Sequence, residues 1–204
     1  MILSEKNSEK VAHILLDINA VKLQPNNLFT WSSGKESPIY CDNRLLLSHV
    51  KERKEIKKLF CDHITKSFQS ADCIAGVATG AIAHGMMVAS ELDMPFIYIR
   101  DKAKGHGRQN KIEGYLKKEN NVVVIEDLIS TGKSSVRAIQ AIQDYGANVK
   151  GLLSIFTYNL CQEDSIPVPH ISLCNYDTLI KVAIDKKIIS NEDRTILYNW
   201  HKSY

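Results

Sequence analysis

The sequence predicts an α/β fold, a mainly parallel sheet covered by helices on both faces. Short, continuous apolar runs rich in β-branched residues recur at 73–77 (C-I-A-G-V), 95–100 (P-F-I-Y-I-R), 122–125 (V-V-V-I) and 151–157 (G-L-L-S-I-F-T). Strands buried on both faces read this way. Helical patterns alternate with these runs, which is the order of a parallel sheet with crossover helices. A length of 204 residues with 44% hydrophobic and 24% charged side chains is enough for one real core, so a single domain over 1–204 is expected.

Each element has its own reason. Val11, Ile14, Leu15 and Ile18 fall on one face of an N-terminal amphipathic helix. A segment containing Pro and Ser follows at 24–40, and then a charged helix over 51–68. Its K-E-R-K-E-I-K-K run mixes both signs and reads as a solvated face. After the strand at 73–77 comes a Gly-rich turn with a helix near 81–92, followed by the strands at 95–100 and 122–125. The helix over 133–145 places Val136, Ile139, Ile142 and Tyr145 on one stripe and stops at Gly146, a C-cap. The strand at 151–157 closes the core of about 70–160, and the last 30 residues are again helical in pattern. Together with the N-terminal segment they can form a cap over one end of the sheet.

Composition excludes several classes of function. Twenty-six Lys+Arg against 23 Asp+Glu leave +3, too little for a nucleic-acid coat, and there is no helix-turn-helix or basic face with interleaved aromatics. Cys41, Cys61, Cys73, Cys161 and Cys174 show no C-x-x-C spacing, so reduced packing cysteines are expected. Charged residues near the N-terminus replace the apolar stretch of a signal peptide, which points to a cytoplasmic protein. The uncharged run at 73–90 only just reaches membrane-spanning length and is broken by Gly76, Gly80 and Gly85, so it reads as a buried strand and helix.

The chemistry concentrates in N-V-V-V-I-E-D-L-I-S-T-G-K-S-S, residues 121–135. A hydrophobic strand ends in Glu126 and Asp127, and a small-residue turn then opens a helix. Strand carboxyl ends carry ligands in parallel sheets, and a helix N-terminus with free N–H groups binds phosphate. Gly132, Lys133 and Ser134 mimic the end of a P-loop, but that pattern needs Gly where this chain has Asp127, and a carboxylate there repels nucleotide phosphates. Two acids beside an anion-binding turn suit a ribose 5-phosphate: carboxylates accept its hydroxyls and stabilise positive charge at the anomeric carbon. The same residues also suit an acid pair that only caps the helix.

V-V-V-I-E-D-L-I-S-T-G-K-S resembles the phosphoribosyl-diphosphate (PRPP) motif of the type I phosphoribosyltransferases. F-T-W-S-S-G-K-E-S-P-I-Y-C-D-N-R at 29–44 and R-D-K-A-K-G-H-G-R-Q-N-K-I-E-G at 100–114 narrow the resemblance to the orotate phosphoribosyltransferase family, over residues 28–158. The resemblance implies a Rossmann-like core with a small hood from about 1–45 and 165–204. It implies a reaction joining orotate to PRPP in pyrimidine synthesis, with Mg2+ held mainly through PRPP and no dedicated protein metal site. It also implies a homodimer in which the 100–114 loop of one subunit serves the site of the other, with no nucleic acid or membrane partner.

By motif match, the PRPP-binding residues are Arg100, Lys104, His106, Glu126, Asp127, Leu128, Ile129, Ser130, Thr131, Gly132, Lys133 and Ser134, with Ser130 also on orotate. Residues 76–81 match the diphosphate loop, and the backbone at Tyr40 and Cys41 matches the base wall. Lys104, His106 and Asp127 are the catalytic candidates. Read on its own, the 100–114 loop is a cationic lid with Gly105, Gly107 and Gly114 for flexibility, able to close over a polyanion and exclude water. The remaining histidines, His84 and His201 among them, read as structural.

This chain departs from many members of that family, which carry Lys at the position of Ser32, a base at Asp101, Lys at Gly80 and Arg at Tyr158. Lys102 is the candidate to replace the base missing at 101. Two rival readings are a purine phosphoribosyltransferase, which shares the phosphate turn but should lack the 29–38 segment, and a PRPP-sensing regulator of nucleic-acid binding.

Overall fold

A computed structural model describes residues 2–31, 34–101, 111–161 and 165–203 of the chain. The central sheet has six strands in the order β10–β9–β8–β5–β6–β7. These are β5 (Cys73–Val77), β6 (Phe96–Ile99), β7 (Ile112–Glu113), β8 (Asn121–Ile129), β9 (Asn148–Thr157) and β10 (His170–Asn175). Every pairing is parallel except that of β7, which returns antiparallel on β6. The α/β expectation therefore holds, with one antiparallel edge.

Alternation along β8 shows why its sequence is apolar throughout. Val123 and Ile125 join a core with Phe60 and Ile64 of helix α2 (Val50–Ser67) and with Val11 and Leu15 of helix α1 (Glu5–Asp17). Val122 and Val124 face the other way, into a core with Ala138, Ile139 and Ile142 of helix α4 (Lys133–Tyr145). Successive strand side chains point to opposite faces, so a strand covered on both sides has no polar face to show. The uncharged run at 73–90 is β5 followed by helix α3 (Ala81–Glu91), and no helix among the described residues is long and apolar enough to cross a membrane.

Helix ends follow their residues. Ser4 accepts the Asn7 N–H at 3.3 Å to cap α1, and Gly146 closes α4 at φ +99°, the left-handed conformation that favours glycine. The α4 stripe shifts from the predicted one: Ser135, Ala138, Ile139 and Ile142 are buried, whereas Tyr145 is 39% exposed. It sits in the last turn, next to the Gly146 C-cap.

The hood is smaller than predicted. Strand β10, within the segment assigned to it, is the parallel edge strand of the central sheet. Its sequence H-I-S-L-C-N lacks the β-branched run that marks the other strands. Pairing is secured by position instead, with the Ser172 and Ser154 hydroxyls 2.6 Å apart in a buried register pair. The hood proper holds β1 (Val21–Leu23) paired with β4 (Ile39–Cys41), the hairpin β2 (Phe29–Thr30) and β3 (Glu36–Ser37), and a 3-10 turn at Asn43–Ser48. Helices α5 (Tyr176–Asp185) and α6 (Asn191–Lys202) complete the C-terminal end.

Candidate active site

The site is opened by strands of unequal length. β5 pairs with β8 only as far as Gly76 and Ile125, whereas β9 continues through Glu126, Leu128 and Ile129. The end of β8 therefore stands free on one side. This corrects the expected strand end: Glu126 and Asp127 lie on the strand, which runs to Ile129, and only residues 130–132 form the turn. One ladder partner suffices to keep these residues extended, a long-range fact that the local run V-V-V-I does not contain.

Because strand side chains alternate, the two acids have different surroundings. Glu126 points inward and is 3% exposed. One of its carboxylate oxygens accepts the Asp127 N–H at 3.2 Å, and the other accepts the Ser134 and Ser135 hydroxyls at 3.3 and 3.2 Å. Burial first, and the neighbouring Asp127 charge second, push its carboxyl well above the usual carboxylate range. Glu126 thus braces the start of α4.

Asp127 is half-buried and, one residue on, points to the other face of the strand. Its carboxylate lies across the loop after β5, where a Cβ built on Gly80 would come within 2.3–2.6 Å of it. The chain has glycine there because the acid fills that space. Behind Asp127, the buried Asn43 donates from Nδ2 to the Asp127 carbonyl at 2.6 Å, joining hood to core. His84, on α3, is 2% exposed, and its Nε2 has no hydrogen-bond partner among the described residues. Burial lowers its pKa, while the Asp127 charge and the Asn43 backbone oppose that shift. Asn43 was not among the sequence candidates. Its only signal was a polar residue in Y-C-D-N-R, immediately after an apolar strand.

Gly132 at φ +75° turns the chain into α4, and among the described residues no side chain caps the N-terminal N–H groups of this 13-residue helix. A cleft lined by Val77, Ala78, Ile99, Arg100, Ser134 and Arg137 brings the loop after β5, the end of β6 and the start of α4 together. Tightness of that loop follows from Gly76, where a Cβ would meet the Ala81 carbonyl at 2.9 Å.

The cationic segment leaves the sheet as the two arms of one ladder. Arg100 N–H donates to the Lys111 carbonyl at 2.8 Å, next to the Ile99–Ile112 pair. The Arg100 side chain pairs with Glu113 at 3.3 Å, and Asp101 pairs with Arg137 at 2.7 Å. Asp101, where many resembling sequences carry a base, is thus engaged by a cation from α4. Lys102, Lys104 and His106 lie outside the described residues, as does Ser32. Tyr158 is buried in an aromatic cluster with Phe156, Trp31 and Trp200. It fills space at the hood and offers no charge to a ligand.

Residues 45–169 match the Phosphoribosyl transferase domain family. An orotate phosphoribosyltransferase of Listeria innocua is 47% identical over 201 residues, covering 96% of this chain and 95% of that protein. Among solved structures, the orotate phosphoribosyltransferase of Aeropyrum pernix superposes with a TM-score of 0.75 at 27% identity, covering 84% of this chain and 96% of that one. The UMP synthase of Leishmania donovani gives 0.76 at 25% identity, covering 97% of this chain but 42% of that longer one. With nearly half its residues shared over almost the full length of such a relative, and with an acid pair, phosphate turn and glycine loop converging at the strand ends, this chain belongs to the orotate phosphoribosyltransferase family.

Proposed function

We propose that the protein transfers the 5-phosphoribosyl group of PRPP to orotate, giving orotidine 5′-phosphate and diphosphate in pyrimidine nucleotide synthesis. The observation that carries this reading is the free end of β8. There a braced Glu126, a half-buried Asp127 and the uncapped α4 N-terminus follow one another along the chain, with the hood fixed against them through Asn43.

In this reading residues 128–134 cradle the 5-phosphate on the open N–H groups of α4. Asp127 accepts ribose hydroxyls and stabilises positive charge as the anomeric carbon parts from diphosphate. Glu126 holds the turn in shape, and Ser130 also contacts orotate. Arg100 and the loop residues Lys104 and His106 neutralise the departing diphosphate, the loop reaching across a homodimer in the cytoplasm. The donor set here is one open carboxylate with hydroxyls beside it, and no cluster of three His, Cys, Asp or Glu side chains suited to a metal occurs among the described residues. That set fits Mg2+ brought in on PRPP and held by phosphate oxygens and water. When bound, Mg2+ neutralises diphosphate charge.

The test is loss of orotate absorbance on mixing the protein with PRPP and Mg2+, with adenine, hypoxanthine and uracil run in parallel. Consumption of orotate alone is expected. Consumption of a purine instead, or of no base despite PRPP binding, overturns the reading.

A further inference from the structure

The cleft at the ends of β5 and β6 carries its own counter-charges. Its cations are Arg100 and Arg137, and each is paired with an acid: Arg100 with Glu113 at 3.3 Å and Arg137 with Asp101 at 2.7 Å. In this state the cleft offers an anion little net attraction, because each positive charge is already answered by a negative one beside it.

The two pairs are not equally held. Glu113 lies on β7 in register with Tyr98, and its side chain is 25% exposed, so the Arg100 pair belongs to the sheet edge. Asp101 stands two residues past the end of β6 at Ile99, and the Asp101 and Arg137 side chains are 55% and 51% exposed. An exposed ion pair of this kind contributes little to stability and opens readily. Arg137 is also directed toward the start of α4. It follows Ser134 by three residues and so shares that face of the helix, and helix side chains lean toward the N-terminus. The bond to Asp101 holds its guanidinium at the level of the strand ends.

We propose that Arg137 exchanges Asp101 for the diphosphate group of PRPP. This rests on the proposed function, in which Arg100 meets the same group from the same cleft and residues 128–134 hold the 5-phosphate. A guanidinium binds two phosphate oxygens at once through its planar fork, and diphosphate carries more charge than one carboxylate, so the exchange runs toward substrate. Asp101 is a built-in competitor: it keeps Arg137 at the strand ends and is displaced when the polyanion enters.

The test compares Arg137→Gln and Asp101→Asn, using orotate absorbance for KM and calorimetric titration with inorganic diphosphate and Mg2+, with thermal unfolding to confirm folding. Loss of the charge-assisted contact in Arg137→Gln is expected to raise KM for PRPP and Kd for diphosphate about 10-fold, with KM for orotate within about twofold. Asp101→Asn removes the competitor and is expected to lower both constants by about 2- to 5-fold, the worth of an exposed ion pair. A pair that only ties the two segments together cannot give opposite shifts, since either substitution breaks it alike. Arg137→Gln leaving the PRPP and diphosphate constants within about twofold of wild type, or Asp101→Asn failing to lower them, overturns the exchange. The diphosphate titration needs no base, so a wild type that binds diphosphate but consumes no orotate overturns the proposed function and leaves the exchange to be judged on Kd alone. A wild type that binds neither PRPP nor diphosphate overturns both.

Discussion

Gly80→Ala separates catalysis from stability. Gly80 has φ −62° and ψ −37°, a conformation that alanine adopts freely, so the backbone raises no objection. Such a replacement stabilises by about 0.4–1 kcal/mol through the unfolded chain, or roughly 1–4 °C in a domain of this size. The added methyl, however, would sit 2.3 Å from Asp127 Oδ2 and 2.6 Å from Oδ1. Ordinary contact begins near 3.4 Å, so the carboxylate must retreat by about 1 Å. It is the free end of a side chain, and the move costs little folding energy. Misplacing a catalytic group by about 1 Å costs on the order of 100-fold in rate. The expected result is a protein at least as stable as wild type, with turnover of orotate and PRPP reduced about 10- to 100-fold. Orotate absorbance and thermal unfolding read the two quantities. Activity within twofold of wild type would refute the placement of Asp127.

Asn43→Ala removes the donor to the Asp127 carbonyl and leaves that oxygen unpaired at the hood–core junction; urea unfolding should show a loss of about 1–3 kcal/mol, accompanied by lower turnover, and unchanged stability would contradict the link. Glu126→Gln tests a charge buried at a cost. Because the folded carboxyl is raised, the native state binds the proton more tightly than the unfolded chain, so wild-type stability is greatest below the ordinary carboxylate pKa and falls as pH rises toward the folded value. Glutamine removes that dependence, so the variant should gain on wild type from pH 4.5 upward in denaturant titrations while losing PRPP affinity. A gain independent of pH would dissociate it from ionisation.

The sequence made much of this legible because the informative features are local. The apolar runs at 73–77 and 122–125 are strands, the helix over 133–145 starts and stops where Gly132 and Gly146 allow, and the small-residue turn stands between strand and helix, although the acid pair before it proved to lie within the strand. Asn43 escaped notice because its partner Asp127 is 84 residues away, and β10 because its Ser172 is satisfied by Ser154 of a neighbouring strand. The departures from family pattern were visible as letters but not as causes. Asp127 fills the space above Gly80, Arg137 engages Asp101, and aromatic rings surround Tyr158.

By itself, the sequence determined the α/β class, the order of the core elements and the position of the small-residue turn that opens α4, since periodicity, glycine and an acid pair act over a few residues. Only the tertiary structure decided that β8 outruns β5, that Glu126 turns inward while Asp127 stays half-buried beside Gly80, and that α6 bonds to both the β2–β3 hairpin and the Tyr158 carbonyl. Those outcomes depend on which distant segments come to lie beside each other, and burial and hydrogen bonding then assign each polar group its partner.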